Sequence, residues 1–278
     1  MPSYETPEPI TAILDFEVGN ARLVASERKD TVVEVLPSNG AEDVDVRVAQ
    51  QTKVTYANGT LTVKGPRKRS PFGKHGSIDI TVELPAGSRL NGSASIGDFA
   101  GEGPLGECRV KASLGDIRLA EAGVTHLRTG HGDIHVHRAT GQAEIHGQGR
   151  IEIDEIAGAA VVKNGNGEIT IGEITGDLKA NSSNGRITVG LAHASVDARS
   201  ANGAIRVDEV VRGVIHLQAA AHDVEIGVRE STAAWLDVNT RVGTVRNALG
   251  AAEGPDVSEE TVEIHARTGV GDIVIRRA

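Results

Sequence analysis

Hydrophobic residues recur along this chain of 278 residues in short runs that alternate apolar and polar positions. Alternation over four to eight residues predicts strands with one buried face. From about residue 88 the runs fall into a fixed frame. Glycine stands at 97, 115, 132, 149, 167, 185 and 203, each 17 or 18 residues after the last, and His222, Gly243 and Gly271 continue the series at wider spacing. Two residues after each index position the chain is apolar: Phe99, Ile117, Ile134, Ile151, Ile169, Ile187, Ile205, Val224, Val245 and Ile273. A second apolar row lies four after the index, broken at Gly101 and Asn247. Further apolar pairs lie seven and five before it, as in Leu178/Ala180 and Val196/Ala198. Each copy therefore reads as strand, corner, strand, corner, and no helix is predicted anywhere.

One such coil buries too little to offset the entropy of ordering it, so neighbours must stack and share a continuous core. The fold class is all-β: a β-solenoid (β-helix) of ~18-residue coils with a β-rich N-terminal region. Residues 1–10, with Pro2, Pro7 and Pro9, are predicted as a flexible arm. Residues 11–87 form the N-terminal β-rich region that caps the solenoid. Its predicted strands are Leu14–Val18, Arg22–Ala25, Thr31–Val35 and Val44–Val48, followed by a hairpin turning at Asn58-Gly59, a pair suited to a type I′ turn. Residues 88–278 are the solenoid repeats, ending in irregular C-terminal coils.

Composition narrows the picture. Glycine is abundant at 34 residues and aromatics make up only 2%, which suits a narrow core of branched aliphatics. The net charge of −9 disfavours nucleic acid as a partner. Cys108 is the one cysteine, so no intramolecular disulfide supports the fold. No apolar run is long enough to span a membrane and the start of the chain has no signal-peptide pattern, so a cytoplasmic location is expected.

The polar repeat positions carry the candidate chemistry. Asn166, Asn184 and Asn202 share one place in the repeat, and stacking would let their amides bond from coil to coil as a structural ladder beside Ile134, Ile151, Ile169, Ile187 and Ile205. Asp98, Asp116 and Asp133 form a like-charged column that would repel unless a cation lies near it. The basic stretch with Arg67, Lys68, Arg69 and Lys74 is a candidate interaction loop. His126, His131, His135, His137 and His146 crowd into two coils, but no acid or cysteine completes a metal set, and they read as surface residues. No catalytic residue, metal or cofactor is predicted. Paired acids without sugar-stacking aromatics do not make a glycosidase site.

The phrases Ser95–Gly101, Ser113–Leu119 and Asn184–Val189, with the segment Val82–Ser88, resemble the bacterial domain-of-unknown-function 4097 family, β-strand-repeat proteins labelled as candidate adhesins. The resemblance covers nearly the whole chain and implies a β-helical fold; it brings no catalytic residues. The expected function is a non-enzymatic scaffold or protein-interaction (adhesin-like) protein, acting on an unknown protein partner or on itself. The alternatives are a self-assembling bactofilin-like polymer and a carbohydrate-binding or carbohydrate-active β-helix protein.

Overall fold

The computed structural model describes residues 2–66, 76–250 and 260–278. It divides into two compact units, Met1–Arg138 and Ala139–Ala278. Each is a β-solenoid, consistent with the strand-corner frame of the sequence.

In the first unit the strands are β1 (Ser3–Glu5), β2 (Thr11–Ser26), β3 (Asp30–Pro37), β4 (Lys53–Ala57), β5 (Thr60–Lys64), β6 (Ile78–Pro85), β7 (Arg89–Ile96), β8 (Phe99–Leu105), β9 (Cys108–Leu114), β10 (Ile117–Ala122) and β11 (Thr125–His131), with helix α1 (Asp43–Gln51) between β3 and β4. The first half of β2 pairs in parallel with β7, and β7 with β9 and β9 with β11. Its second half pairs in parallel with β8, and β8 with β10. The sixteen-residue β2 thus supplies both strands of one coil, with its corner at Gly19. Gly19 is an index glycine hidden from the sequence frame, because β3–β6 are inserted between its coil and the next. The insertion closes the unit with antiparallel pairs: β4 on β5, and β1 on β3 on β6.

Three sequence expectations fail here for identifiable reasons. Residues 3–5 are not a loose arm but strand β1, and Thr6 beyond them is buried, its hydroxyl 2.8 Å from that of Thr31. Leu14–Val18 and Arg22–Ala25 are one strand, not two. Val44–Val48 is helical despite its alternation. Asp43 and Asp45 lie in its first turn, where acids favour a helix, and Asp45 accepts hydrogen bonds from the Ser77 and Asn39 amides. Val44 and Val48, one turn apart, press on Gly76: a Cβ there would meet the Val44 carbonyl at 2.6 Å and Val48 at 2.8 Å. Tertiary fit overrides the strand preference of valine. The expected hairpin is present, with Asn58 and Gly59 both at positive φ (50° and 71°).

In the second unit, after β12 (Ile134–Ala139), the strands are β13 (Ala143–Gly147), β14 (Ile151–Ile156), β15 (Ala160–Asn166), β16 (Ile169–Ile174), β17 (Leu178–Asn184), β18 (Ile187–Ala192), β19 (Val196–Asn202), β20 (Ile205–Val210), β21 (Gly213–Ala221), β22 (Val224–Val228), β23 (Thr232–Val242), β24 (Val245–Asn247), β25 (Glu260–Val270) and β26 (Ile273–Arg277). Odd-numbered strands stack in parallel as β13-β15-β17-β19-β21-β25-β23. Even-numbered ones stack as β14-β16-β18-β20-β22-β26-β24. The coil β25/β26 therefore lies between β21/β22 and β23/β24, out of chain order.

The register places like on like. Ile151, Ile169, Ile187 and Ile205 face one another in succession, each fully buried. A further inward row closes the core at the second corner, through Ile156, Ile174, Ala192 and Val210. The first corner sets the tightest constraint. A Cβ built on Gly185 would stand 1.9 Å from the Gly167 carbonyl oxygen, and one on Gly271 would stand 2.4 Å from that of His222. Both glycines have φ above 140°. Side chains three residues before the index reach inward to the same carbonyls. Thr129 donates to Gly115 at 2.9 Å, Asn164 to Gly149 at 2.8 Å and Thr268 to His222 at 2.9 Å. These donors are buried, so each satisfies a corner acceptor that the ladder leaves over.

The aspartate column is not repulsive in the way its charges suggest. Asp98 Oδ1 accepts the Asp116 amide and Asp116 Oδ1 accepts the Asp133 amide, both at 2.8 Å. In the second unit Asp223 accepts the Asp272 amide and Asp272 the Thr244 amide. The hydrogen bonds from Thr244 hold the Asp272 carboxyl below the usual range. Each carboxylate is thus a bracket onto the next coil.

His222 occupies a corner index with φ of 84°, a region that costs a side chain energy that glycine avoids. We expect His222→Gly to raise stability by about 0.5–1 kcal/mol and Gly185→Ala to lower it by more than about 2 kcal/mol through steric collision, both read as shifts in the urea midpoint at constant slope. A neutral Gly185→Ala would disprove the corner constraint.

Candidate interaction surface

Strands β19, β21, β25 and β23 lie side by side in the second unit, and their alternation decides what faces outward. Val196, Ile215 and Ile264 are buried, so Asp197, His216 and His265, one residue later, point to solvent. The register aligns Asp197, His216, His265 and Asp237 in one row, and Arg199, Gln218, Arg267 and Asn239 in the next. Trp235 faces Glu263 at the margin and is 57% exposed.

The rows interact closely. The rings of His216 and His265 stack at 4.6 Å and 18°, and Trp235 lies 5.4 Å from His265 at 59°. His265 is held at both nitrogens, with Nε2 2.7 Å from Glu263 and Nδ1 3.4 Å from Asp237. Arg267 also reaches Asp237, at 3.4 Å, while Arg199 pairs with Asp197 through two hydrogen bonds, the shorter 3.0 Å. Asp197, Arg199, Gln218 and Arg267 border a shallow depression of about 320 Å³ around the two imidazoles. These groups suit recognition: stacking faces, fixed charges and an amide fork on a rigid sheet.

The residues singled out by sequence are distributed differently. Asn184 Nδ2 donates to Asn166 Oδ1 at 2.9 Å and Asn202 Nδ2 to Asn184 Oδ1 at 3.0 Å, at an exposed edge of the first corner. Ile134, Ile151, Ile169, Ile187 and Ile205 are core residues. Arg67, Lys68, Arg69 and Lys74 lie outside the described residues. His126 and His131 belong to β11, and His146 Nε2 lies 3.4 Å from Glu144 Oε1. Cys108 is fully buried, and burial, reinforced by Glu107, pushes its thiol up to about 12.

Sequence reasoning missed Trp235, His216 and His265. Trp235 was within reach: it stands eight before the index Gly243, an outward place, in a chain with one tryptophan. The imidazole pair was not, because it exists only through the out-of-order coil.

The chain belongs to the Toastrack family, DUF4097, whose profile matches residues 20–276. Three solved structures align with it. One is a candidate adhesin from Bacteroides fragilis, 15% identical, covering 99% of this chain and 95% of that one, with a TM-score of 0.37. Another, from Parabacteroides distasonis, is also described as a candidate adhesin; it is 13% identical, with coverages of 98% and 95% and a TM-score of 0.37. The third is a candidate cell adhesion protein from Clostridium sporogenes, 13% identical, with coverages of 100% and 98% and a TM-score of 0.24. No curated protein matches the chain. No helix among the described residues is long and apolar enough to cross a membrane.

Two outcomes follow from this geometry. Asn184 both donates and accepts in the exposed ladder, so Asn184→Ala should cost about 1 kcal/mol in chemical denaturation, and an unchanged midpoint would show the ladder to be ornamental. Cys108 should resist a thiol reagent at pH 8 in the native protein and react at once in denaturant; fast native labelling would contradict its burial.

Proposed function

We propose that this protein is a non-enzymatic scaffold that presents the outer face of β19, β21, β25 and β23 to a protein partner. The observation that carries the reading is the exposed Trp235 beside the stacked His216–His265 pair, bordered by ion pairs on a flat sheet. Exposed tryptophan with nearby arginine is the composition of interface hot spots. Rigid strands fix the side chains before binding, so little ordering entropy is lost. Both ring nitrogens of His265 are engaged by carboxylates, and Cys108 is held as a buried thiol; each is spoken for structurally rather than poised for turnover.

The test is cross-linking of the full chain in extracts of its source cells, followed by titration of the recovered protein against wild type, Trp235→Ala and His216→Ala. Each substitution is expected to weaken binding at least tenfold. Equal affinity for all three would remove this face from the function. A purified hydrolytic activity abolished by Asp197→Asn or Glu263→Gln would overturn the scaffold reading itself.

A further inference from the structure

The stack of the second unit ends on an unfinished coil. Among the described residues β23 pairs only with β25, and β24 only with β26. In the interior coils the inward residue of the first strand sends its amide to the next coil: Ala160 to the Asp177 carbonyl, Leu178 to that of Ser195, each at 2.9 Å. Leu236 and Val238 hold those places in β23, and among the described residues no strand pairs with their backbone groups. The side chains show the same incompleteness. Ile205, Val224 and Ile273 are 0% exposed, whereas Val245, in the same row of the end coil, is 42% exposed. Leu236 and Val238 are only half-buried, where Val196, Ile215 and Ile264 are sealed. The first unit, by contrast, terminates its sheets with antiparallel strands and a helix. Natural proteins cover or blunt bare parallel edges, because they template pairing.

We propose that this end is an interface with a second copy of the chain, joined by antiparallel pairing of β23 with its counterpart about a twofold axis at Asn239. In that register Asp237 stands opposite Arg241 of the copy, twice by symmetry, and Val238 opposite Thr240. The charges are complementary, and Arg241 forms no ion pair within its own chain among the described residues. The two Asp237–Arg241 contacts fall in non-hydrogen-bonded pairs, where opposed side chains approach most closely. The half-buried Val238 is then covered by Thr240 of the copy and Leu236 by Val242, which closes the open end of the core. A twofold interface is self-complementary and closes at two copies. The backbone pairing runs along the edge of β23; Asp237 also belongs to the face proposed to hold another protein, but the pairing needs no other protein and stands without that reading.

The experiment is light scattering on the full chain during size-exclusion chromatography over a hundredfold concentration range. Wild type is expected to rise from 29.0 kDa to twice that mass and stop there. Arg241→Glu, which sets two acids against each other, should weaken association at least tenfold, and Asp237→Arg combined with Arg241→Glu should restore it. Val238→Pro removes an amide that points to the bare edge, leaves the β25 ladder intact, and should hold the protein at 29.0 kDa. Circular dichroism of each variant separates loss of pairing from loss of fold. A constant 29.0 kDa for wild type, growth past two copies, or a dimer indifferent to Arg241→Glu with its double-variant rescue would each overturn the proposal.

Discussion

At the first corner of the glycine-indexed coils a carbonyl oxygen occupies the space where the neighbouring coil's Cβ would stand, and the other regularities follow from that collision. For Gly115, Gly132, Gly185 and Gly203 the approach is 1.9–2.1 Å, which no side chain survives. Backbones that pass so closely fix the vertical register, and a fixed register puts isoleucine on isoleucine and asparagine on asparagine. The crowded carbonyl needs a donor, and Thr129, Asn164 and Thr268 supply one from inside. Ser182 shares their place, yet its buried hydroxyl finds no partner, so the pattern tolerates an occasional unfilled bond. His222 is the counterpart failure on the backbone side.

The repeat was legible because burial and glycine both obey this corner. The rows at +2 and +4 from the index are what any inward-facing pair of a short strand must be, and the structure buries them until the end coil. The donor row three before the index was harder to see, since Thr129, Asn164, Ser182 and Ser200 are ordinary polar residues until their direction is known. Gly19 was hidden because 78 residues separate it from Gly97, although the two stack directly. Helix α1 was misread because Val44, Val46 and Val48 satisfy a strand period while Val44 and Val48 also fit one helical face. The position of β25/β26 was beyond sequence: every coil offers the same upper and lower surface, so the frame fixes register without fixing order. The candidate surface shares that illegibility, since His216 and His265 meet only through the displaced coil.

Charge plays a secondary part. Arg118 pairs with Asp116, and Arg199 with Asp197, two residues along the same strand face, while Arg229–Glu209 and Arg276–Glu225 join neighbouring coils. Such exposed pairs contribute little to stability. The acids that matter to the stack are those accepting backbone amides, Asp98, Asp116, Asp223 and Asp272, where carboxylate and peptide are matched in place.

The displaced coil also governs the order of events as the chain leaves the ribosome. From β13 to β22 each coil can settle on the one before it as soon as it emerges, a vectorial process that builds only short loops. The segment β23/β24 then appears before β25/β26, the layer it must rest on. To settle early, it would have to occupy ground meant for a later arrival, then give it up. Completion of this end is therefore an insertion rather than an addition, with a loop to close and a competitor to displace.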